Sequence, residues 1–167
     1  MSSDINLFED ANSGRHGICT EYEAIAAPTH PDAAKALAFW QARPADGIII
    51  GRDLPSRAIA SLLSHVIVHE PIDGGNDLKV RLAGTAVRRR FGRDITGCTL
   101  SELFPTDSFT YRLRSVMMAI ETGEPQYADC QISNGNLDLL HSQLLILPVL
   151  SADRANKWAM TVVFFFN

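Results

Sequence analysis

Apolar positions recur along this chain with two different periods, and the change from one to the other marks out its parts. Residues 1–30 are mostly polar and aperiodic, with breakers at Asn12-Ser13-Gly14 and Gly17, which predicts a flexible or loosely packed lead-in. Residues 31–65 hold two short helical patterns. Thr29-His30-Pro31-Asp32 has the form of a capping signal ahead of AAKALAFWQAR, where Leu37 and Trp40 lie three apart and Arg43-Pro44 ends the run. Ser56 can cap a second helix, with Ile59, Leu62, Leu63 and Val66 at helical spacing.

From residue 66 the period falls to two. The β-branched VIVHEP (66–71) runs into the turn Pro71-Ile72-Asp73-Gly74-Gly75. LKVRLAG then alternates, with Leu78, Val80 and Leu82 on one face and Lys79 and Arg81 on the other, so the two runs predict an antiparallel hairpin. Helical spacing returns after Gly84. Thr85 can cap the short segment AVRRRFG, Thr99-Leu100-Ser101-Glu102 has capping-box spacing, and Phe104-Pro105 closes that turn. Over residues 107–121, Phe109, Leu113, Val116, Met117 and Ile120 form one apolar stripe that ends at Gly123-Glu124-Pro125. Three strand patterns complete the chain, at 127–132, 138–149 and 158–166, with Asn134-Gly135-Asn136 as the turn between the first two. The expected order is two strands, several short helices, then three strands.

That order, with its motifs, resembles a PAS domain. The carriers are Phe91-Gly92-Arg93, Gly97 and Leu100-Ser101-Glu102-Leu103-Phe104-Pro105 after the hairpin, and Thr122-Gly123-Glu124-Pro125 at the end of the long helix. The segments AFWQARPADG and DLPSR, within residues 38–57, and Arg81-Leu82-Ala83-Gly84-Thr85 are similar to a bacterial subgroup of short, nearly stand-alone PAS proteins. Ala58-Ile59-Ala60 departs from the acidic, proline-containing segment usual in that subgroup. The resemblance implies an α+β fold in which a five-stranded antiparallel sheet, in order 2-1-5-4-3, carries short helices over one face, with an N-terminal helix besides. Residues 66–167 form the expected core.

Composition changes this picture little. The 167 residues carry a net charge of −4, which disfavours sequence-independent nucleic-acid binding, since that draws its affinity from phosphate neutralisation. No apolar run approaches the roughly 20 residues needed to cross a bilayer, and the start lacks the basic and apolar regions of a signal peptide, so a cytoplasmic protein is expected. Cys19, Cys98 and Cys130 are odd in number and form no CxxC pair, which points to reduced thiols and no metal site. Arg88, Arg89 and Arg90 fan out over about 200° of a helix and read as a solvated face. Arg81, on a strand, is expected to pair with a surface carboxylate.

The resemblance implies a sensory or regulatory role in signal transduction, through a small apolar or weakly polar ligand, a protein partner, or both. Pocket candidates are Phe91, Cys98, Phe104, Met117, His141, Gln143 and Leu145. His141 and Gln143 would be polar handles in an apolar cavity if their strand face meets the helices. Trp40, Phe164 and Phe166 are candidates for an exposed contact surface, with a signalling partner or in a homodimer. The cofactor stays unassigned. Cys98 directly follows Gly97, unlike the cysteine of flavin-binding relatives, and residues 107–121 lack the histidine that haem-binding relatives commonly supply. With no output module in the sequence, the chain is expected to act through another protein.

No nucleophile elbow, HExxH or P-loop is present, so no catalytic residue is assigned. Ser142 and His141 point to opposite strand faces and cannot form a local nucleophile–base pair. The enzyme alternative is a cone-shaped α+β isomerase or hydratase, which would need a buried carboxylate facing the cavity. Asp129 is its candidate.

Overall fold

The computed structural model describes residues 18–133 and 139–166. The expected Asn134-Gly135-Asn136 turn and the first 17 residues of the lead-in lie outside them. The elements are β1 (Ile18–Ala24), α1 (Ala33–Gln41), a 3-10 segment (Arg57–His65), β2 (Val66–Ile72), β3 (Asp77–Ala83), α2 (Thr85–Phe91), α3 (Leu100–Leu103), α4 (Thr106–Thr122), β4 (Gln126–Ser133), β5 (Leu139–Leu150) and β6 (Lys157–Phe165). The strands form one antiparallel sheet in the order β1-β4-β5-β6-β2-β3.

Five of these strands stand in the expected order, 2-1-5-4-3 in that numbering. The sixth corrects the reading of the lead-in: β1 pairs with the outer edge of β4, Tyr22 opposite Cys130 and Glu23 opposite Asp129. An edge strand with Tyr22 turned in and Glu23 turned out carries too few apolar positions to announce itself by period. Its pairing edge is supplied by β4, a hundred residues away in sequence.

Both sheet faces are covered, each by its own apolar core. Phe91, Ile95, Leu100, Leu103, Val116 and Ile120 of α2–α4 and the loops between them pack on Leu78, Val80, Leu144 and Ile146. Trp40, Ile48, Leu54, Ile59 and Leu62 pack on the opposite face, against Val66, Val68, Leu145, Leu147, Met160, Val162 and Phe164. Strands buried on both faces explain the near-continuous apolar runs LLILPV and MTVVFFF. Each such aliphatic side chain contributes about 1.5–3 kcal/mol on burial.

The local signals resolve unevenly. The capping box at Thr99 is complete: its hydroxyl accepts the Glu102 N–H at 3.3 Å, and the Glu102 carboxylate accepts the Thr99 N–H at 3.4 Å. Ser56 accepts the Ala58 N–H at 3.2 Å, although the segment it opens is 3-10 and kinks at Ile59. Two caps are corrected. Gly84 takes the cap position of α2, leaving Thr85 inside the helix, and Asp32 caps α1 without a side-chain bond.

The β3 alternation also breaks. The register slips between Val68 and His69, so Leu82 stands opposite Val68 while Val80 stands opposite His69. This bulge turns Leu82 away from its two apolar neighbours, and it is left 39% exposed. Arg81 sits at the slip, 3.3 Å from Glu70, as its strand position leads one to expect.

Candidate functional site

Between α3, α4 and the sheet lies a small, partly enclosed cavity of about 40 Å3. Its walls are mainly apolar: Ile67, Leu144, Ile146 and Val163 from the strands, and Leu100, Phe104 and Val116 from the helical side. Four groups break that lining, His69 of β2, Thr161 of β6, Arg112 of α4 and Tyr22 of β1. Strand alternation sets the first two in place. Ile67 and His69 share the helix-facing side of β2, as Thr161 and Val163 share that of β6.

The polar groups are unequally served. Tyr22 donates its hydroxyl proton to Ser115 Oγ at 2.7 Å. His69 and Thr161 are 5% and 4% exposed, and among the described residues His69 Nδ1 and Thr161 Oγ1 have no hydrogen-bond partner. An unpaired polar atom at such depth costs about 1–3 kcal/mol. Burial, with the positive charge of Arg112 adding to it, pushes the His69 imidazole down to about 4, so the ring is neutral at physiological pH. Arg112 donates from Nε to Ser108 Oγ at 3.1 Å and from Nη2 to Cys130 Sγ at 3.4 Å. Its guanidinium lies 4.2 Å from the Phe104 ring centre. Among the described residues no carboxylate forms an ion pair with it.

The sequence-derived pocket residues divide between the two faces of the sheet. Phe104 lines the cavity, and Phe91 meets it edge-on with ring centres 5.8 Å apart. Cys98 and Met117 pack at the margin of the same helical core without lining the space. His141, Gln143 and Leu145 belong to the opposite face, because their parity on β5 is that of Leu147 while the cavity takes Leu144 and Ile146. They cannot share a pocket with Phe104. The expected contact surface is corrected as well: Trp40 and Phe164 are 5% and 3% exposed, inside the second core, where Trp40 Nε1 donates to the Pro148 carbonyl at 2.9 Å. Phe166 is half-buried and stacks on His141 at 4.3 Å.

On that second face His141 and Gln143 form a polar cluster. His141 Nε2 lies 2.6 Å from Asp129 Oδ1, and Gln143 Nε2 donates to the same oxygen at 3.1 Å. Gln143 Oε1 accepts the backbone N–H groups of Thr29 and His30, and its Nε2 also donates to Thr29 Oγ1 at 2.8 Å. The segment before α1 is thereby fastened to the sheet. Asp129 is engaged on the face away from the cavity, so it is not a carboxylate facing that space.

His69, Thr161, Arg112 and Tyr22 were missed by sequence reasoning. Two of them did leave a signal: His69 and Thr161 are the polar interruptions of the apolar strand runs VIVHEP and MTVVFFF. Arg112 sits beside the stripe of α4 and Tyr22 on the unexpected strand, so neither position is legible before the fold is known.

An antiparallel sheet in this order, with α2–α4 over one face and a small cavity beneath them, defines the class of domain as PAS-like. The comparison with family models makes this specific. The model described as "PAS domain" matches residues 28–163, more than four-fifths of the chain, and the protein belongs to that family. The match takes in α1 and the 3-10 segment as well as the core. Comparison with curated proteins gives no match. PAS domains are in general sensory or regulatory modules rather than enzymes, and among the described residues no helix is long and apolar enough to cross a membrane.

Proposed function

We propose that this PAS domain is a sensory module in signal transduction, and that the cavity between α3, α4 and the sheet is its small-molecule site. The observation that carries the reading is a pair of buried atoms, His69 Nδ1 and Thr161 Oγ1, that have no partner among the described residues and belong to the wall of one cavity. Buried polar atoms are nearly always bonded, so an orphan pair facing a shared space is what a ligand would complete. Occupancy would favour the arrangement of helices and sheet that binds better, a population shift that the lid helices pass to a partner.

Output runs through protein contact, with a signalling protein or a second copy. Because Trp40 and Phe164 are used inside the fold, the exposed large apolar side chains among the described residues are Leu82, Tyr111 and Met118.

The test is a fragment titration followed by NMR, with native and denatured masses compared for any molecule retained in purification. A ligand should perturb the amides of His69 and Thr161 and lose its effect in Leu144→Phe, which fills the space. If no compound perturbs either amide, and no bound mass is retained, the cavity is only a packing defect and the reading fails.

A further inference from the structure

We propose that the ligand of this cavity is a small organic monocarboxylate of the size of formate or acetate, its carboxylate facing Arg112 and accepting from the Thr161 hydroxyl. The inference rests on the cavity being a ligand site and adds the chemical class. Three observations carry it.

The first is charge. Arg112 forms part of the wall and brings a full positive charge to a mainly apolar lining. Its hydrogen bonds go to a hydroxyl and a thiol, and no anion among the described residues balances it. A guanidinium is matched best by a planar anion that can accept from it at two oxygens.

The second is hydrogen-bond inventory. Thr161 offers a hydroxyl donor with no partner among the described residues, and neutral His69 can donate from one ring nitrogen. A carboxylate accepts at both oxygens, so it can use the guanidinium and the hydroxyl together. A neutral amide or alcohol would use the hydroxyl and leave the charge as it stands.

The third is size. A water-sized group occupies about 10–15 Å3 of such a cavity, so 40 Å3 accommodates roughly three of them. That matches the few heavy atoms of formate or acetate, with any methyl group against Leu144, Ile146 and Val163. Longer acids exceed that volume.

The experiment is an NMR titration of the isotope-labelled protein with sodium acetate, sodium formate, acetamide and sodium chloride at matched ionic strength. Saturable shifts at Thr161, His69 and the Arg112 side chain are expected with acetate and formate and not with acetamide or chloride. Arg112→Gln should weaken acetate by about tenfold or more. Thr161→Val, a conservative change of shape, should weaken it too and keeps the test open if the arginine variant folds poorly. Equal binding of acetamide, lost in Thr161→Val and untouched in Arg112→Gln, overturns the carboxylate assignment while the cavity remains a ligand site. Shifts confined to the surface, or none, also overturn it, and the fragment titration then decides whether the cavity binds anything.

Discussion

Gln143 takes two consecutive backbone N–H groups, of Thr29 at 2.9 Å and His30 at 3.1 Å, on the single oxygen of its side chain. The same side chain returns a hydrogen bond to the Thr29 hydroxyl and one to Asp129. All of its hydrogen-bonding capacity is spent between the sheet and the segment leading into α1. Gln143→Leu should leave two backbone donors and a carboxylate short of partners, destabilising the domain by about 1–3 kcal/mol. Hydrogen exchange checks it: amides of residues 25–32 should exchange faster in the variant, while those of α4 keep their rate. Unchanged exchange at Thr29 and His30 would mean that this segment is held by α1 packing alone.

His69 makes stability depend on pH through one buried ring. Its folded value, about 4, lies below the ordinary value near 6.5, so between those two pH values the unfolded chain binds the extra proton. Stability from this group is therefore fully present above about pH 6.5 and is lost as the pH falls toward 4, by up to about 3 kcal/mol. Denaturant midpoints between pH 4 and 7 measure it. His69→Phe should flatten that part of the profile; an identical slope in the variant would assign the acid loss to other groups.

Thr161→Val replaces an orphaned hydroxyl by a methyl group of nearly the same shape. Because no group among the described residues bonds that oxygen, the variant should be more stable, by about 1 kcal/mol, or 2–4 °C in Tm. The gain belongs to the ligand-free protein, and small-molecule response should fall with it. A loss of stability on this substitution would show that a water or another group already satisfies the hydroxyl.

Gly84 is required by close approach rather than by its dihedrals, which are those of ordinary extended backbone at φ −68°. A Cβ there would overlap the carbonyls of Leu63 and Ser64, neither of which can move freely. Gly84→Ala should cost about 1–3 kcal/mol as overpacking and loosen the junction of the 3-10 segment with α2. Thermal unfolding reads this directly, with Gly97→Ser as a contrast. Gly97 has open space where its Cβ would be, so its cost comes from a positive φ of 89° alone.

Much of the architecture was legible as pattern. Leu78 and Val80 alternate, Phe109, Leu113, Val116 and Ile120 keep one stripe, and Thr99 and Glu102 stand at capping-box spacing, because each of these is a relation between near neighbours. The site was less legible. Phe104 lies in the cavity wall, but His141 and Gln143 could be assigned only to a shared strand face, and which layer covered that face was not written locally. Trp40 and Phe164 read as an exposed pair for the same reason: each is a surface residue until the other layer is laid against it.

The sequence alone determined the order of the five core strands and the helices between them, the caps at Ser56 and Thr99, and the family, since these depend on local patterns and on the order in which they follow one another. Only the tertiary structure decided that Tyr22 pairs under the lid, that the sheet has two covered faces, and that His69, Thr161 and Arg112 meet around one cavity. Those residues come from three elements separated by more than 40 positions. Side-chain parity sets which face each one takes, but the pairing of whole strands sets what it meets there.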